Sequence, residues 1–242
     1  MGFRAKMCYN QGIGFPKGGD FLAENIFYRA RRAAAALFTR RCVCCGRSFS
    51  GRQCVCSECA AGLVPADEPR GDFAACASYL YEGSARDVML RFKFGEAPEL
   101  CADTLADWLC DGFDRHYDGE SFDFAVSVPS FGERPRMELF VRDFAARRGL
   151  CYRPELLIKM RPTEKQHRLS AAERRTNLRG AFAASEAVCG KSILLVDDIF
   201  TTGSTVCECA AALHAAGAKS VSVLTVLRTE DKTEKSDNRK EK

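Results

Sequence analysis

The chain has 242 residues and an ordinary globular composition, with 46% hydrophobic and 28% charged residues. Its formal net charge of +4 is too small to establish a nucleic-acid partner by itself. No apolar run approaches the ~20 residues that a bilayer-spanning helix needs, and no secretory signal is recognisable. We therefore expect a cytoplasmic protein without a membrane span.

Residues 1–41 form a basic N-terminal segment, and residues 1–60 carry ten Lys and Arg against three acids. The pattern from Phe21 to Phe38 predicts a basic, weakly amphipathic helix in part of this segment. A surplus of positive charge suits phosphate ligands, nucleic acid or a membrane surface. A solvated basic face is an equally simple explanation.

Six of the fourteen cysteines fall within residues 42–59. Two CxxC pairs stand out among them, namely Cys42, Cys45, Cys56 and Cys59. Four thiolates at this spacing predict a closed, structural zinc ribbon over residues 42–62, in preference to disulfides or redox chemistry. CxC pairs that use Cys44 and Cys54 are the alternative. We favour CxxC because Gly46 follows the first pair, as metal-binding turns often require.

A linker is predicted over residues 63–72, and from residue 73 to 228 strand and helix patterns alternate. The predicted strands are 73–81, 122–129, 191–198 and 220–227. The predicted helices are 84–94, one from Pro98 to about Gly112, one from Met137 to Gly149, and 205–216. Short links between strand and helix imply a parallel sheet with right-handed crossovers. Residues 229–242, with five acids and five bases, are predicted to be a disordered tail.

The strongest functional signal runs from Ile193 to Thr205. A buried strand leads to Asp197 and Asp198, and a loop with Gly203 precedes the next helix. The loop and helix start supply hydroxyl donors from Thr201, Thr202, Ser204 and Thr205. Helix N-termini favour anions, and ligands of open parallel sheets sit beyond the carboxyl ends of the strands. The pattern predicts a phosphate site whose acids bind a ribose diol or a hydrated Mg²⁺; a capped helix start is the simpler alternative.

Residues 158–182 begin with a polar, basic stretch that predicts a mobile loop. Arg161, Lys165 and Arg168 could close over a pyrophosphate leaving group. Ser170 and Glu173 have the spacing of a capping box. An exposed, solvated loop is the alternative.

These segments together resemble the ComF family, phosphoribosyltransferase-like proteins associated with DNA uptake in competent bacteria. The resemblance covers about residues 42–228 and rests on four motifs in the family's order. These are the cysteine pairs, Tyr81-Glu82-Gly83 with Lys93-Phe94, the segment from Arg161 to Phe182, and Asp197 to Thr205. The resemblance implies an α/β fold, a type I phosphoribosyltransferase-like parallel sheet flanked by helices, with a small N-terminal zinc ribbon of four cysteines.

It also implies a site for 5-phosphoribosyl 1-pyrophosphate (PRPP). Asp197 and Asp198 would hold the ribose, residues 201–205 the 5′-phosphate, and Arg161, Lys165 and Arg168 the leaving group. Lys93 and Ser127 would border the same site. This sequence departs from the family's pattern in one segment. Where family members carry Arg-Gly-Phe-Asn-Gln, this chain has Glu138-Leu139-Phe140-Val141-Arg142.

Two functions follow from the resemblance. The first is a Mg²⁺-dependent phosphoribosyltransferase that transfers phosphoribosyl to an acceptor and releases pyrophosphate. The second is a non-catalytic PRPP sensor or DNA-handling adaptor, whose basic N-terminus and ribbon contact single- or double-stranded DNA or competence proteins. The departure from the family motif favours the second, whereas the PRPP loop is compatible with both.

Overall fold

The computed structural model describes residues 39–71, 74–95, 98–130, 136–162 and 178–230. The predicted helix within residues 21–38, the capping box at Ser170, and the tail beyond residue 230 lie outside the described residues. So do the candidate site residues Lys165 and Arg168. Across the described ranges, no helix is both long enough and apolar enough to cross a membrane.

Eight strands and five α-helices are described within these ranges. The strands are β1 (Thr39–Arg41), β2 (Ser48–Ser50), β3 (Cys76–Leu80), β4 (Phe124–Ser127), β5 (Leu157–Lys159), β6 (Phe182–Ala184), β7 (Ser192–Phe200) and β8 (Ser220–Arg228). The helices are α1 (Ser57–Ala61), α2 (Gly83–Phe94), α3 (Glu99–His116), α4 (Glu138–Arg148) and α5 (Ser204–Ala215).

The central sheet has four strands in the order β3-β8-β7-β4, and all three pairings are parallel. Its middle strands are buried on both faces, as the continuous apolar run from Ile193 to Val196 predicts. The predicted fold class, a parallel sheet flanked by helices with a cysteine-rich module at the N-terminal side, is confirmed. All parallel strands bring their carboxyl ends to one edge, where ligands of such sheets bind.

The side chains of β7 alternate between two cores. Leu194 and Val196 face the core formed by α2, α3 and α4, whereas Ile193 and Leu195 face the core that includes α5 and the paired strands β5 and β6. By the same alternation, Asp197 continues the α5 side and Asp198 continues the α2 side of the strand.

Two predicted boundaries were wrong. The helix α3 runs past Gly112 to His116, because Gly112 is a packing residue and not a stop. A Cβ there would lie 2.3 Å from the Ser78 hydroxyl oxygen on β3. The strand β7 runs past the two acids to Phe200, because Ile199 and Phe200 still pair in register with Leu227 and Arg228 of β8.

The described part of the linker expected at 63–72, residues 63–71, runs along the edge of the sheet. Pro65 forms an antiparallel bridge with Tyr79, and the Leu80 amide donates to the Val64 carbonyl at 2.8 Å. The cysteine-rich module begins before Cys42, since its β1–β2 hairpin starts at Thr39. The module is thereby connected to the sheet by paired backbone.

Candidate ligand site at the carboxyl edge of the sheet and the cysteine centre

The junction of β7 and α5 has the geometry of an anion site. Gly203 is the N-cap of α5 with φ of 73°, in the left-handed region that favours glycine. A Cβ at Gly203 would lie 2.8 Å from the ring of Phe200, so larger residues clash as well as being strained. Glycine has no side chain to cap the helix, which leaves the positive end of its dipole directed at the sheet edge.

The hydroxyl residues predicted for this loop surround the start of α5. Thr201 and Thr202 are exposed, and Thr205 is half-buried. Ser204 is buried, and its hydroxyl lies 2.9 Å from that of Thr202. Donors of this kind at a helix N-terminus suit the oxygens of a phosphate group.

The two acids occupy different environments although they are consecutive. An oxygen of the Asp197 carboxylate accepts a hydrogen bond of 2.9 Å from the Asp198 amide. Asp197 as a residue is half-buried, but burial of its carboxyl group raises its pKa to about 7, and the charge of Asp198 acts in the same direction. Asp197 is therefore a carboxyl group whose charge state changes near neutral pH.

Asp198 is paired with Lys93. The ammonium group of Lys93 lies 3.0 Å from one carboxylate oxygen of Asp198 and 2.9 Å from the other. The side chain of Lys93 is 32% exposed and that of Asp198 is 22% exposed. Solvent therefore reaches the ion pair, although protein covers most of its surface. Lys93 is in the last turn of α2, and the structure thus brings this residue to the predicted site.

Ser127 lies at the carboxyl end of β4, opposite Val196 in the register. It is buried, and its hydroxyl is 2.8 Å from the hydroxyl of Tyr152. Ser127 is thus at the carboxyl edge of the sheet, where the PRPP contact is predicted, but its hydroxyl is already engaged within the protein. A contact from this position would use the backbone or a rearranged side chain.

Arg161 follows β5, and its guanidinium donates to the Arg179 carbonyl at 3.1 Å. These two residues flank residues 163–177, which lie outside the described part of the chain. The proposed grouping of Arg161 with Lys165 and Arg168 therefore stays a prediction.

The four cysteines of the CxxC pairs converge. The Sγ atoms of Cys42, Cys45, Cys56 and Cys59 all lie within 4.8 Å of one another. The Sγ atoms of Cys45 and Cys56 are 3.7 Å apart, close to the ~3.8 Å edge of a tetrahedron with Zn–S bonds of about 2.3 Å. Gly46, with φ of 72°, closes the first turn by donating its amide to the Cys42 carbonyl at 2.9 Å. The residues present fit a tetrahedral zinc ion.

The backbone around Cys42 also favours a thiolate at that position. Burial acts to raise the pKa of Cys42, but hydrogen bonds from backbone amides outweigh it and lower the pKa to about 6. One of these donors is the amide of Cys56, 3.4 Å from the Cys42 sulfur. Metal ligation requires the deprotonated sulfur, so this backbone arrangement suits a metal centre.

Cys44 and Cys54 are directed elsewhere, which decides against the CxC alternative. The Cys44 thiol donates to the Ser84 carbonyl in α2 at 3.7 Å. The buried Cys54 thiol is hydrogen-bonded to Cys101 in α3, and the Cys54 amide donates to the Thr104 hydroxyl of the same helix at 2.8 Å. Both cysteines thus attach the module to the main domain. The contact is reinforced by Asp107, which accepts hydrogen bonds from Arg52 at 2.8 Å and Gln53 at 3.1 Å.

Three residues near these sites were missed from the sequence. Tyr152 bonds to Ser127, Asp107 holds the module, and Arg136 donates to carbonyl oxygens at the end of α2. Each acts through a contact between residues far apart in the chain. A single sequence carries no signal for such pairings, apart from the general expectation that half-buried charges find partners.

Comparison with known proteins gives a domain match and a set of relatives. The family model described as "Phosphoribosyl transferase domain" matches residues 156–241. The "DNA utilization protein YhgH" of Salmonella typhi is 36% identical over 113 residues, which are 44% of this chain and 50% of that protein. The protein of the same name from Escherichia coli strain K12 is 44% identical over 75 residues, 31% of this chain and 33% of that protein. The matched segments span half the length of the Salmonella relative and a third of the length of the Escherichia coli relative.

Solved structures give weaker similarities. A glutamine PRPP amidotransferase from B. subtilis, complexed with ADP and GMP, has a TM-score of 0.40 at 22% identity, covering 56% of this chain and 30% of that one. An adenine phosphoribosyltransferase from Thermoanaerobacter pseudethanolicus has a TM-score of 0.33 at 15% identity, covering 50% and 79%. The assignment rests on the domain match, the sheet and the relatives. Residues 156–241 therefore match a phosphoribosyl transferase domain, they follow a four-cysteine module in the chain, and the relatives are named DNA utilization proteins.

Proposed function

We propose that the chain binds PRPP together with Mg²⁺ at the carboxyl edge of the central sheet. The observation that carries this proposal is the glycine-capped start of α5 directly after a strand that ends with two acids. Gly203 begins α5 without a side chain that caps the helix N-terminus, and the hydroxyls of Thr201, Thr202, Ser204 and Thr205 supply donors around it. The domain match over residues 156–241 includes this whole junction.

Each group in the site has a proposed role. The α5 N-terminus and residues 201–205 bind the 5′-phosphate, and the carboxylates of Asp197 and Asp198 accept hydrogen bonds from the ribose hydroxyls. Lys93 neutralises Asp198 in the free protein and is within reach of a bound anion. Arg161, with Lys165 and Arg168, is proposed to bind the pyrophosphate. Oxygen ligands such as carboxylates suit Mg²⁺, whose charge would offset that of the pyrophosphate.

The proposed reaction is transfer of the phosphoribosyl group to an acceptor nucleophile. The bond from C1 of the ribose to the pyrophosphate oxygen breaks, a bond from C1 to the acceptor forms, and pyrophosphate leaves. The residues of this chain contribute positioning and charge stabilisation, which is the main source of rate acceleration in such sites.

Calorimetric titration with PRPP and MgCl₂ tests the binding step. Wild type should bind, and Asp197→Asn and Asp198→Asn should each weaken binding by about tenfold or more, as expected when a charged hydrogen-bond partner is lost. Asp123→Asn is the matched control. Asp123 accepts from the Ser192 amide at 2.8 Å at the opposite edge of the sheet, so its substitution should leave PRPP affinity unchanged. No heat of binding to wild type would contradict the proposal.

Release of pyrophosphate separates an enzyme from a sensor. PRPP and Mg²⁺ are incubated with the protein and a panel of bases and amines, and pyrophosphate is measured. Release that depends on an acceptor and is lost in Asp198→Asn supports the transferase. Binding without release for any acceptor supports a PRPP sensor.

A DNA-handling role is the second candidate. It is favoured by the name of the relatives, DNA utilization protein, and by the charge of the ribbon, which has four arginines and one glutamate between residues 39 and 62. Fluorescence anisotropy with labelled single- and double-stranded DNA should then show binding that weakens steeply with salt. Absence of binding at low salt would exclude this role. Competence proteins are the proposed protein partners.

We also propose a cytoplasmic location. None of the thirteen cysteines in the described ranges forms a disulfide, which suits a reducing compartment. Fractionation of cells that produce the protein tests this, and recovery in an exported fraction would contradict it.

A further inference from the structure

The end of α2 is fixed by an arginine from another part of the chain. Nη1 of Arg136 donates to the carbonyl oxygen of Phe92 at 2.9 Å and also to that of Lys93. These carbonyls belong to the last turn of α2, where carbonyl groups lack partners within the helix and the dipole is negative. A guanidinium suits this position because it offers several donors and a positive charge.

The helix has little freedom to end elsewhere. Gly95 donates its amide to the Arg91 carbonyl at 2.8 Å, and a Cβ at Gly95 would lie 2.3 Å from that same oxygen. The buried ring of Phe92 packs edge-on against Phe140 of α4, with centroids 5.3 Å apart. Arg136 lies just before α4. The chain around the start of α4 therefore contacts α2 twice, through Phe140 in the core and through Arg136 at the polar end of the helix.

Lys93 connects this helix end to the predicted ligand site. Its backbone carbonyl accepts from Arg136, and its ammonium group pairs with Asp198 on β7. A lysine has a long, flexible side chain whose conformational freedom opposes a fixed contact. If the backbone of Lys93 is already fixed, less conformational entropy is lost when its ammonium group forms the contact with Asp198.

We propose that Arg136 is a positioning residue of the ligand site: by holding the end of α2 it fixes where the Lys93 ammonium group meets Asp198 and bound PRPP. Arg136 makes no contact with ligand in this role and acts through Lys93 alone. The inference rests on the proposed PRPP site, and it adds a residue to which none of the sequence motifs above assigns a role.

A double-mutant cycle tests the dependence on Lys93. PRPP affinity with Mg²⁺ is measured for wild type, Arg136→Ala, Lys93→Ala and the double variant. Arg136→Ala should weaken binding about tenfold, which corresponds to about 1.4 kcal/mol. In the Lys93→Ala background the same change should have little further effect, because contacting residues couple. Arg136→Lys, which keeps a charged donor, should recover part of the affinity.

Arg148→Ala is the matched control. Arg148 is on α4 and bonds to Asp114 with Nε 2.7 Å from the carboxylate, so its loss removes a charge-assisted contact at the other end of the same helix. Affinity for PRPP should not change. Equal and additive losses for Arg136→Ala in both backgrounds would overturn the inference, whereas failure of wild type to bind PRPP would contradict the proposed function instead.

A second readout needs no ligand. The rate at which Lys93 is acetylated by a small amine-reactive reagent is followed by mass spectrometry of the folded protein. Pairing with Asp198 protects the ammonium group, so Arg136→Ala should speed acetylation of Lys93 severalfold while Arg148→Ala leaves it unchanged. An unchanged rate in Arg136→Ala, or in Arg136→Gln if the alanine variant does not fold, would also overturn the inference.

Discussion

Arg52 of the cysteine-rich module and Asp107 of α3 form an ion pair of 2.8 Å across the boundary between the module and the domain. The Asp107 carboxylate also bonds to Arg147 of α4. The module therefore rests on two helices of the main domain. Its buried residues Cys42, Cys54 and Val55 belong to the same core as Leu105 and Trp108, so we expect module and domain to unfold together.

Zinc removal should therefore destabilise the whole protein. Cys45→Ser and Cys59→Ser should lower the zinc content measured by elemental analysis and should lower the unfolding temperature of the domain, because metal binding in a small module is part of its folding free energy. Cys151→Ser is the control, since Cys151 is exposed and lies outside the cluster. Full retention of the domain's unfolding temperature after chelation would show that the two parts are independent.

Loss of the Asp107 charge should destabilise the protein at neutral pH. Although burial opposes it, hydrogen bonds from Arg52 and Gln53 and the charge of Arg147 keep the pKa of Asp107 below its usual value. A lowered pKa means stability that is present above the unfolded pKa and is lost as the pH falls through the folded one. Asp107→Asn should cost about 2 kcal/mol at pH 7, because the half-buried guanidinium groups of Arg52 and Arg147 lose the anion to which they are hydrogen-bonded.

Chemical denaturation at two pH values checks this. The difference in free energy of unfolding between wild type and Asp107→Asn should be large at pH 7 and should shrink below about pH 4, where the carboxylate begins to protonate. A difference that does not depend on pH would indicate that packing, and not charge, determines the effect.

Asp197 should make the stability of the ligand-free protein fall as the pH rises. Its folded pKa of about 7 is above the ordinary aspartate pKa of about 3.9, so between these values the folded state binds more protons than the unfolded state. The slope of unfolding free energy with pH is then negative over this window. Asp197→Asn should be more stable than wild type at pH 8, and the gain should largely disappear near pH 4.

The same substitution should weaken PRPP binding, because an amide replaces the carboxylate that accepts from the ribose. Thermal unfolding from pH 4 to pH 8 and calorimetry at pH 8 measure the two effects. An increase in stability at pH 8 with a loss of affinity is the expected pair of results. Lower stability at pH 8 would contradict the assigned environment of the carboxyl group.

Gly203→Ala should combine strain with a clash. The left-handed φ costs about 1 kcal/mol for alanine, and a Cβ 2.8 Å from the Phe200 ring forces a shift of that ring. Gly190→Ala is the control, because Gly190 has φ of 70° and nothing within 4 Å of the added Cβ. Both variants should lose stability by about 1 kcal/mol from strain, while Gly203→Ala alone should lose more and should bind PRPP poorly.

Denaturant titrations and PRPP calorimetry on both variants measure these differences. Equal PRPP affinities in Gly203→Ala and Gly190→Ala would show that the backbone at residue 203 is not part of the ligand site.

The sequence was informative where local pattern determines structure. Four consecutive apolar residues before Asp197 predict a doubly covered parallel strand, and the CxxC spacing predicts the sulfur cluster. Both features depend on residues that are neighbours in the chain. The predicted end of α3 was wrong because a glycine at position 112 is typical of a helix stop. In the structure Gly112 instead permits close packing against Ser78 of β3.

The site was predictable only in part for the same reason. Hydroxyl, glycine and carboxylate residues at the β7–α5 junction are visible as a motif. The ion pair of Lys93 with Asp198 joins residues 105 positions apart, and only the motif resemblance pointed to Lys93. The contacts of Arg136, Tyr152 and Asp107 depend on how helices pack on the sheet, which a single sequence does not reveal.

The most direct measurement is a crystal structure of the protein with PRPP and Mg²⁺. The 5′-phosphate should lie against the backbone amides at the start of α5, next to Gly203, with the ribose hydroxyls bonded to Asp197 and Asp198. Density for PRPP elsewhere, or a bound ligand whose phosphate does not reach these amides, would contradict the assignment of this edge of the sheet as the ligand site.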